Sequence, residues 1–408
     1  MLVGTNQDQG QRYNRRVIFD LVRMHGSLAR TDLAKRAGLS YQAVSNMTDD
    51  LIGNGLLTEI RKRSGRRGQP PVELSVNPDG AFSLGFSFDQ RTLRGALVDL
   101  AGTPRAELET SLRSPEPGVV LPAIAAMAGE LIAADHMPAD RLYGLGLGMP
   151  GVSRDGRFVS PAPSSSHAWL PSWNGIPIID TLQAALGIPV FTDNDAAASA
   201  IGELLYGEGR RFSDFVYLYI SDGIGCGLVL GRKPYRGAAG MAGEVGHLVV
   251  DVNGHPCPCG RRGCLETYAS LSAARQQVLP SGSGTDPQIL VGLLEDRDPA
   301  MLRWVAEAGH MLQQAIVSVE NFVDPEVVFV GGTIPQPVLN ALVDVVEPLP
   351  PRVSRAGQRD PPRLLKAKVG LGHATLGAAA LPMFEETASD ISLLLKRGAT
   401  GTQPHAGL

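Results

Sequence analysis

The sequence predicts an α/β protein preceded by a small winged helix-turn-helix domain. Three observations predict it. From Ala81 onward, short β-rich runs alternate with helical stretches, the pattern of layered α/β folds. Before that point the chain is rich in arginine and shows three short helical patterns followed by two strand-like runs. Three of its four cysteines, Cys257, Cys259 and Cys264, lie within eight residues and mark one compact loop.

The first helix is predicted over Gln11 to Met24, with Val17, Ile18, Leu21 and Val22 on one face. A second covers Thr31 to Ala37 and is broken by Gly38. Ser40 is a good N-cap for a third, in which Val44, Met47 and Leu51 recur at helical spacing until Gly55 ends it. Leu57 to Ile60 and the run Val72, Leu74, Val76 then read as strands around the basic loop RKRSGRRGQPP. Two short helices joined by a glycine turn describe a helix-turn-helix, whose second helix faces the DNA major groove. Here that face offers Tyr41, Gln42, Ser45 and Asn46, while Arg30, Thr31 and Ser40 stand where phosphates would lie. Gln and Asn make bidentate contacts to adenine, and an arginine-rich wing, Arg66 and Arg67 included, lies on the backbone or enters a narrow minor groove. The plain alternative is a small helical domain with a solvated basic loop.

Bulk properties fit that division. A length of 408 residues suggests two or three domains. Hydrophobic residues make up 43% and charged ones 19%, as in a globular protein. The net charge of −4 excludes a wholly basic nucleic-acid binder, so DNA contact must come from a local patch. No apolar run is expected to reach the roughly 18 residues that span a bilayer. The first residues form no signal-peptide segment, and a cytoplasmic protein without membrane insertion is expected.

Strands are expected at Ser83–Phe88, Leu93–Leu100, Leu142–Gly148, Val190–Thr192, Phe215–Ile220, Gly227–Leu230 and Val327–Val330. SGSGTD at 281–286 reads as an exposed loop and the tail after Lys396 as disordered. The two halves of this part would suit a duplicated fold.

His247, Cys257, Cys259 and Cys264 offer one imidazole and three thiolates, a set that suits a closed tetrahedral zinc site. With no open position, such a zinc is structural. Gly260 and Gly263 let the chain curl back to the ion. His255 is a rival for the imidazole position, although it lies awkwardly close to Cys257. Three reduced cysteines without metal are the plain alternative. A zinc-bound His247 would keep its other ring nitrogen free for a ligand.

EVGH followed by CPCGRRGCLE, TDNDA at 192–196, SDGIGCGLVL and YRGAAGMAGEVGH together resemble the ROK family (repressors, open reading frames, kinases). GLSYQAVSNMTDDLIGNGLLTE is similar to the winged helix of the family's repressor branch, and ISLLLKR at 391–397 to a C-terminal amphipathic helix of some members. The resemblance implies a two-lobed, actin- and hexokinase-like (ribonuclease H-like) domain. The expected division is 1–80 for the winged helix, 81–195 with 375–397 for the first lobe, 196–374 for the second lobe with the zinc motif, and 398–408 for a tail. It further implies that Asn194, Asp195, Glu244, His247 and Glu266 bind sugar hydroxyls, Asp195 being the kinase-base equivalent.

The chain departs from the family's kinases at the phosphate loops. Where they carry D-x-G-G-T, Ser87 replaces the acid, and Asp89 and Gln90 replace two glycines. Ser221-Asp222 replaces Gly-Thr in the second loop, while Gly331 and Gly332 are kept. Acids beside a polyanion should repel it, so no kinase activity is expected. Nor does Ser166 to Gly175 align with the Asn-Leu pair that precedes Trp-x-Gly in the kinases. The expected function is a sugar-responsive repressor binding double-stranded operator DNA as a homodimer or homotetramer, with a sugar or sugar phosphate as effector. An active kinase with an added DNA-binding domain is the alternative. Control by a sugar-transporter protein is a third reading.

Overall fold

The computed structural model describes residues 7–61, 72–154, 157–159, 170–280, 284, 286–352, 362–367 and 373–388. Arg66 and Arg67, the rest of the wing, most of the 281–286 loop, Ser166 to Trp169, the 391–397 segment and the tail fall outside these residues.

The chain opens with α1 (Gln7–His25), β1 (Leu28–Ala29), α2 (Arg30–Ala37), α3 (Tyr41–Gly53), β2 (Leu57–Arg61) and β3 (Val72–Val76). Gly38 ends α2 in the left-handed region (φ 68°), and the Ser40 hydroxyl accepts the Ala43 N–H at 3.2 Å to start α3. The strands pair in the order β1-β3-β2. Ile18, Phe19, Val22, Leu33, Val44, Leu51, Leu57 and Leu74 close the core between helices and wing. Thr48 is buried on α3, where the spacing pointed to Met47.

The next strands are β4 (Phe82–Phe88), β5 (Thr92–Asp99) and β6 (Pro104–Ser111), followed by α4 (Pro117–Ala134) and β7 (Leu142–Met149). After the hairpin β8 (Val152–Arg154) and β9 (Arg157–Val159) come α5 (Ile178–Leu186) and β10 (Val190–Asn194). β4 to β6 form an antiparallel meander, and β7 joins β4 in parallel, giving the sheet order β10-β7-β4-β5-β6. α4 lies on β5 and β6 with Val120, Ile124, Ala128 and Leu131 buried. It corrects one expectation: Pro117–Ala134 is 18 residues long with mean hydropathy 1.7, enough by length and composition to cross a membrane. One face of it is buried against β5 and β6.

The remaining elements are α6 (Asp195–Tyr206), β11 (Phe215–Ile220), β12 (Ile224–Leu230), β13 (Lys233–Pro234), α7 (Glu266–Ala269), α8 (Leu271–Val278), α9 (Gln288–Glu295), α10 (Pro299–Val323), β14 (Val327–Gly332), α11 (Gln336–Val346), β15 (Leu364–Lys366) and α12 (His373–Thr387). The second sheet runs β13-β12-β11-β14-β15. Numbered along the chain, both sheets have the order 3-2-1-4-5, with an antiparallel meander and two further strands beside its first. The duplication suggested by the sequence is therefore present in the topology. α10 and α11 pack together and cover the second core with Trp304, Leu312, Ile316, Val338 and Leu342.

The chain divides into two compact units. One holds 1–148, 178–192 and 375–408; the other holds 149–177 and 193–374. The winged helix thus belongs to the same unit as the first sheet. Asn77 Nδ2 donates to Gly55 O at 2.6 Å, and Leu100 N to Pro78 O at 3.1 Å. α12 binds this unit together. A Cβ at Gly85 or Gly146 would strike its backbone at 2.1 or 1.8 Å, so only glycine lets β4 and β7 approach it so closely. At its C-terminus the buried Arg16 of α1 donates to Glu385 O (3.0 Å) and Ala388 O (3.2 Å), and Arg23 to the Thr387 hydroxyl (3.2 Å).

Candidate ligand site and metal centre

His247 ends a single 3₁₀ turn (Val245–His247) laid on β12. Gly246 makes this possible, since a Cβ there would lie 2.2 Å from Ile224 O. The cysteines lie on a loop closed by pairings of Val249 with Cys264 and Pro256 with Arg262. Gly260 (φ 90°) and Gly263 (φ 69°) turn it, and a Cβ on Gly263 would collide with Asp251 O. The four donor atoms lie within 4.8 Å of one another. Cys257 Sγ is 3.6 Å from His247 Nδ1, and Cys259 Sγ 3.7 Å from Cys264 Sγ. A zinc tetrahedron has edges of about 3.6 Å between N and S and about 3.8 Å between two S, from its usual bond lengths. The residues therefore fit that ion.

Burial pushes the Cys264 thiol up to about 12 and raises Cys257. At Cys259 burial is outweighed by the Arg261 N–H and the neighbouring thiols, and its pKa falls. Three thiolates need a cation beside them, which a metal supplies. His255 takes no part in this cluster. It is exposed and lies against the Tyr268 ring, 4.9 Å between centroids.

The start of β12 gathers the polar residues. Glu266, at the N-terminus of α7, accepts the Ile224 N–H at 3.2 Å through Oε2. Burial raises its pKa, His247 opposes the rise and Glu244 adds to it. Glu244 Oε2 lies 4.0 Å from His247 Nε2, on the ring edge opposite the cluster. One residue along β12, a Cβ on Gly225 would stand 3.8 Å from both Asn194 Oδ1 and Asp195 Oδ1 and would clash with Ala196 at 2.8 Å. Asn194 caps α6, its Oδ1 accepting Ala196 N at 2.9 Å. Asp195 Oδ1 accepts the same N–H at 2.8 Å. Asp195 keeps some surface, yet protein crowds its carboxyl, and desolvation lifts the pKa to about 6. Asn194, Asp195, Glu244, His247 and Glu266 thus come from three chain segments to one end of β12. The sequence did not single out Arg236, which pairs with Asp193 (Nε to Oδ2, 3.1 Å) and ties the loop before Glu244 to the end of β10.

On the helix-turn-helix, Thr31, Ser40, Tyr41, Gln42 and Asn46 are exposed and Ser45 is half-buried. Arg30 is engaged within the domain: its guanidinium donates to Thr48 Oγ1 (3.0 Å), Glu59 (2.9 Å) and Asp49 (2.9 Å). It braces α2, α3 and β2, and its carboxylate partners compete with any phosphate. Lys35 and Arg36, which the sequence reading passed over, are exposed on α2.

The model of the ROK family matches residues 90–383, well over half of the chain. The chain belongs to the ROK family. It is 27% identical to the xylose repressor of Bacillus subtilis over 324 residues, 79% of this chain and 83% of that protein. The glucokinase of Thermotoga maritima is 30% identical over 258 residues, 55% of this chain and 80% of that one. Among solved structures, a ROK family transcriptional regulator described as a homologue of the Escherichia coli Mlc protein superposes with a TM-score of 0.69 and 26% identity. That match covers 92% of this chain and 96% of the regulator.

In the two segments that the sequence resemblance sets against the kinase phosphate loops, polar side chains bond within the chain. Asp89 Oδ1 accepts the N–H groups of Arg91 (2.8 Å) and Thr92 (2.9 Å), and Oδ2 pairs with Arg94 at 3.1 Å. Ser87 bonds the Thr375 hydroxyl at 2.6 Å. Asp222 pairs with Arg275, which also donates to Ser272. Both carboxylates are thus ion-paired within the chain, where they occupy donors. The retained glycines also have packing reasons. A Cβ at Gly331 would lie 2.4 Å from the Tyr217 hydroxyl, and one at Gly332 2.1 Å from Ile220 O.

Proposed function

We propose that this chain is a sugar-responsive transcriptional repressor that binds operator DNA through its winged helix-turn-helix and has no kinase activity. One observation carries the reading: the span of the matches. The solved regulator covers 92% of the chain, which must include part of the first 80 residues, whereas the solved ROK hexokinase of Thermus thermophilus covers 74%. The filled phosphate loops support the loss of phosphoryl transfer.

In this reading Asn194, Asp195, Glu244, His247 and Glu266 bind a sugar. Each hydroxyl donates and accepts, and carboxylates with an amide satisfy several at once. Three carboxyl groups favour a neutral sugar over a phosphorylated one. The name of the repressor relatives makes xylose the first sugar to try. His247, Cys257, Cys259 and Cys264 hold a structural zinc, which contributes charge and a closed loop. Held through Nδ1, His247 presents Nε2 to the ligand side, where Glu244 already lies. Thr31, Ser40, Tyr41, Gln42, Ser45, Asn46, Arg66 and Arg67 contact the DNA, and a homodimer or homotetramer in the cytoplasm presents paired helices to two half-sites. Sugar acts allosterically by preferring one of two states, so its affinity and that for DNA change together.

The second reading is an active sugar kinase. Its support is Asp195, whose pKa of about 6 suits a general base near neutral pH. A thermal-shift screen of the zinc-loaded protein against xylose, other pentoses, hexoses, amino sugars, their phosphates and ATP–Mg²⁺ separates the two. A shift with one neutral sugar and none with ATP supports the repressor. A shift with ATP–Mg²⁺ and turnover of a sugar would establish the kinase.

A further inference from the structure

The exposed start of α3 carries no cation. Its sequence, YQAVSNMTDDLIG, contains no lysine or arginine. The two acids further along, Asp49 and Asp50, pair with Arg30 (2.9 Å) and Arg15 (3.2 Å), which stand on α2 and α1. The polar face that remains is made of Tyr41, 55% exposed, the half-buried Ser45, and the amides of Gln42 and Asn46. These amides lie one helical turn apart and are joined: Gln42 Nε2 donates to Asn46 Oδ1 at 2.9 Å.

We infer that α3 reads two successive A·T base pairs through this linked Gln42–Asn46 amide pair. The inference rests on the proposed DNA-binding function. The joined amides offer a row of acceptor, donor, acceptor, donor: Gln42 Oε1, Gln42 Nε2, Asn46 Oδ1, Asn46 Nδ2. Adenine presents a donor, N6–H, beside an acceptor, N7, in the major groove. Two adenines in succession repeat that order and match the row. If the bond between the amides ran the other way, the row would reverse and still alternate. Guanine presents two adjacent acceptors, N7 and O6, and needs two donors such as an arginine fork. α3 carries no arginine to supply that fork, and each amide sets an acceptor beside its donor. Phosphate affinity then comes from cations off this helix, Lys35, Arg36 and Arg61, all exposed.

The test is selection of duplexes from a randomised pool by the full-length, zinc-loaded protein, followed by binding measurements on the selected site and its single base-pair variants. The expected half-site contains two adjacent A·T pairs. Changing either to G·C should weaken binding roughly ten- to a hundredfold, the discrimination typical of a bidentate contact. Gln42→Ala and Asn46→Ala should each relax the preference at both positions, because each amide orients the other, with unchanged zinc content and thermal stability. Lys35→Ala should weaken binding to every sequence alike. Enriched half-sites with guanine in place of these adenines, or a preference untouched by both variants, would overturn the inference while leaving the repressor reading in place. A pool with no enriched sequence would overturn both.

Discussion

Asp195 stands at the first turn of α6 with the Ala196 N–H and its own on its carboxylate and protein around the rest. Its folded pKa of about 6 lies above the 3.8 of an ordinary aspartate, so the folded protein binds this proton more tightly. Stability contributed here is present below about pH 4 and is lost as pH rises through 6. Asp195→Asn keeps the acceptor for Ala196 and removes the penalty. Its melting temperature should exceed that of the unchanged protein at pH 8, by up to about 3 kcal/mol of stability, and match it near pH 4. Equal differences at both pH values would refute the buried carboxylate. His247 was legible at this scale because its partners sit close in sequence. The burial of Arg16, Asp20 and Arg23 was not: apolar spacing on α1 drew attention to Val17 and Leu21, and the helix end that covers the charged side comes from some 370 residues away.

Among the elements, the cysteine loop and the helix-turn-helix were readable because spacing, glycines and the Ser40 cap act within a few residues. β6 was not expected, because it is an exposed edge strand whose alternation rests on only two apolar residues, Ala106 and Leu108, among charged ones. Two predictions belong here. Removing zinc with a chelator, or changing Cys264 to Ser, should release one equivalent of metal and lower the melting temperature; full retention of stability would show that the loop needs no ion. Arg16→Ala should deprive the C-terminus of α12 of a charged cap on two carbonyls. The expected loss is on the order of 2 kcal/mol, with faster amide exchange in both α1 and α12. Faster exchange in α1 alone would mean that the helices do not support each other.

For the molecule as a whole, alternation of strands and helices announced an α/β protein, and the repeated 3-2-1-4-5 order emerged only from strand pairing. The fate of the phosphate loops was half legible. Asp89 and Asp222 are visible in the sequence, but not their pairing with Arg94 and Arg275. If the loops are filled from within, ATP–Mg²⁺ should neither shift the melting temperature nor be hydrolysed with any sugar, and a shift would mean that these carboxylates give way. The central claim joins sugar to DNA. It is tested most directly by measuring operator affinity of the full-length protein with and without the sugar that stabilises it, and sugar affinity with and without operator. The account predicts that both affinities change by the same factor, with the sugar recovered unphosphorylated. Operator affinity indifferent to saturating sugar, or recovery of a sugar phosphate when ATP is present, would contradict it.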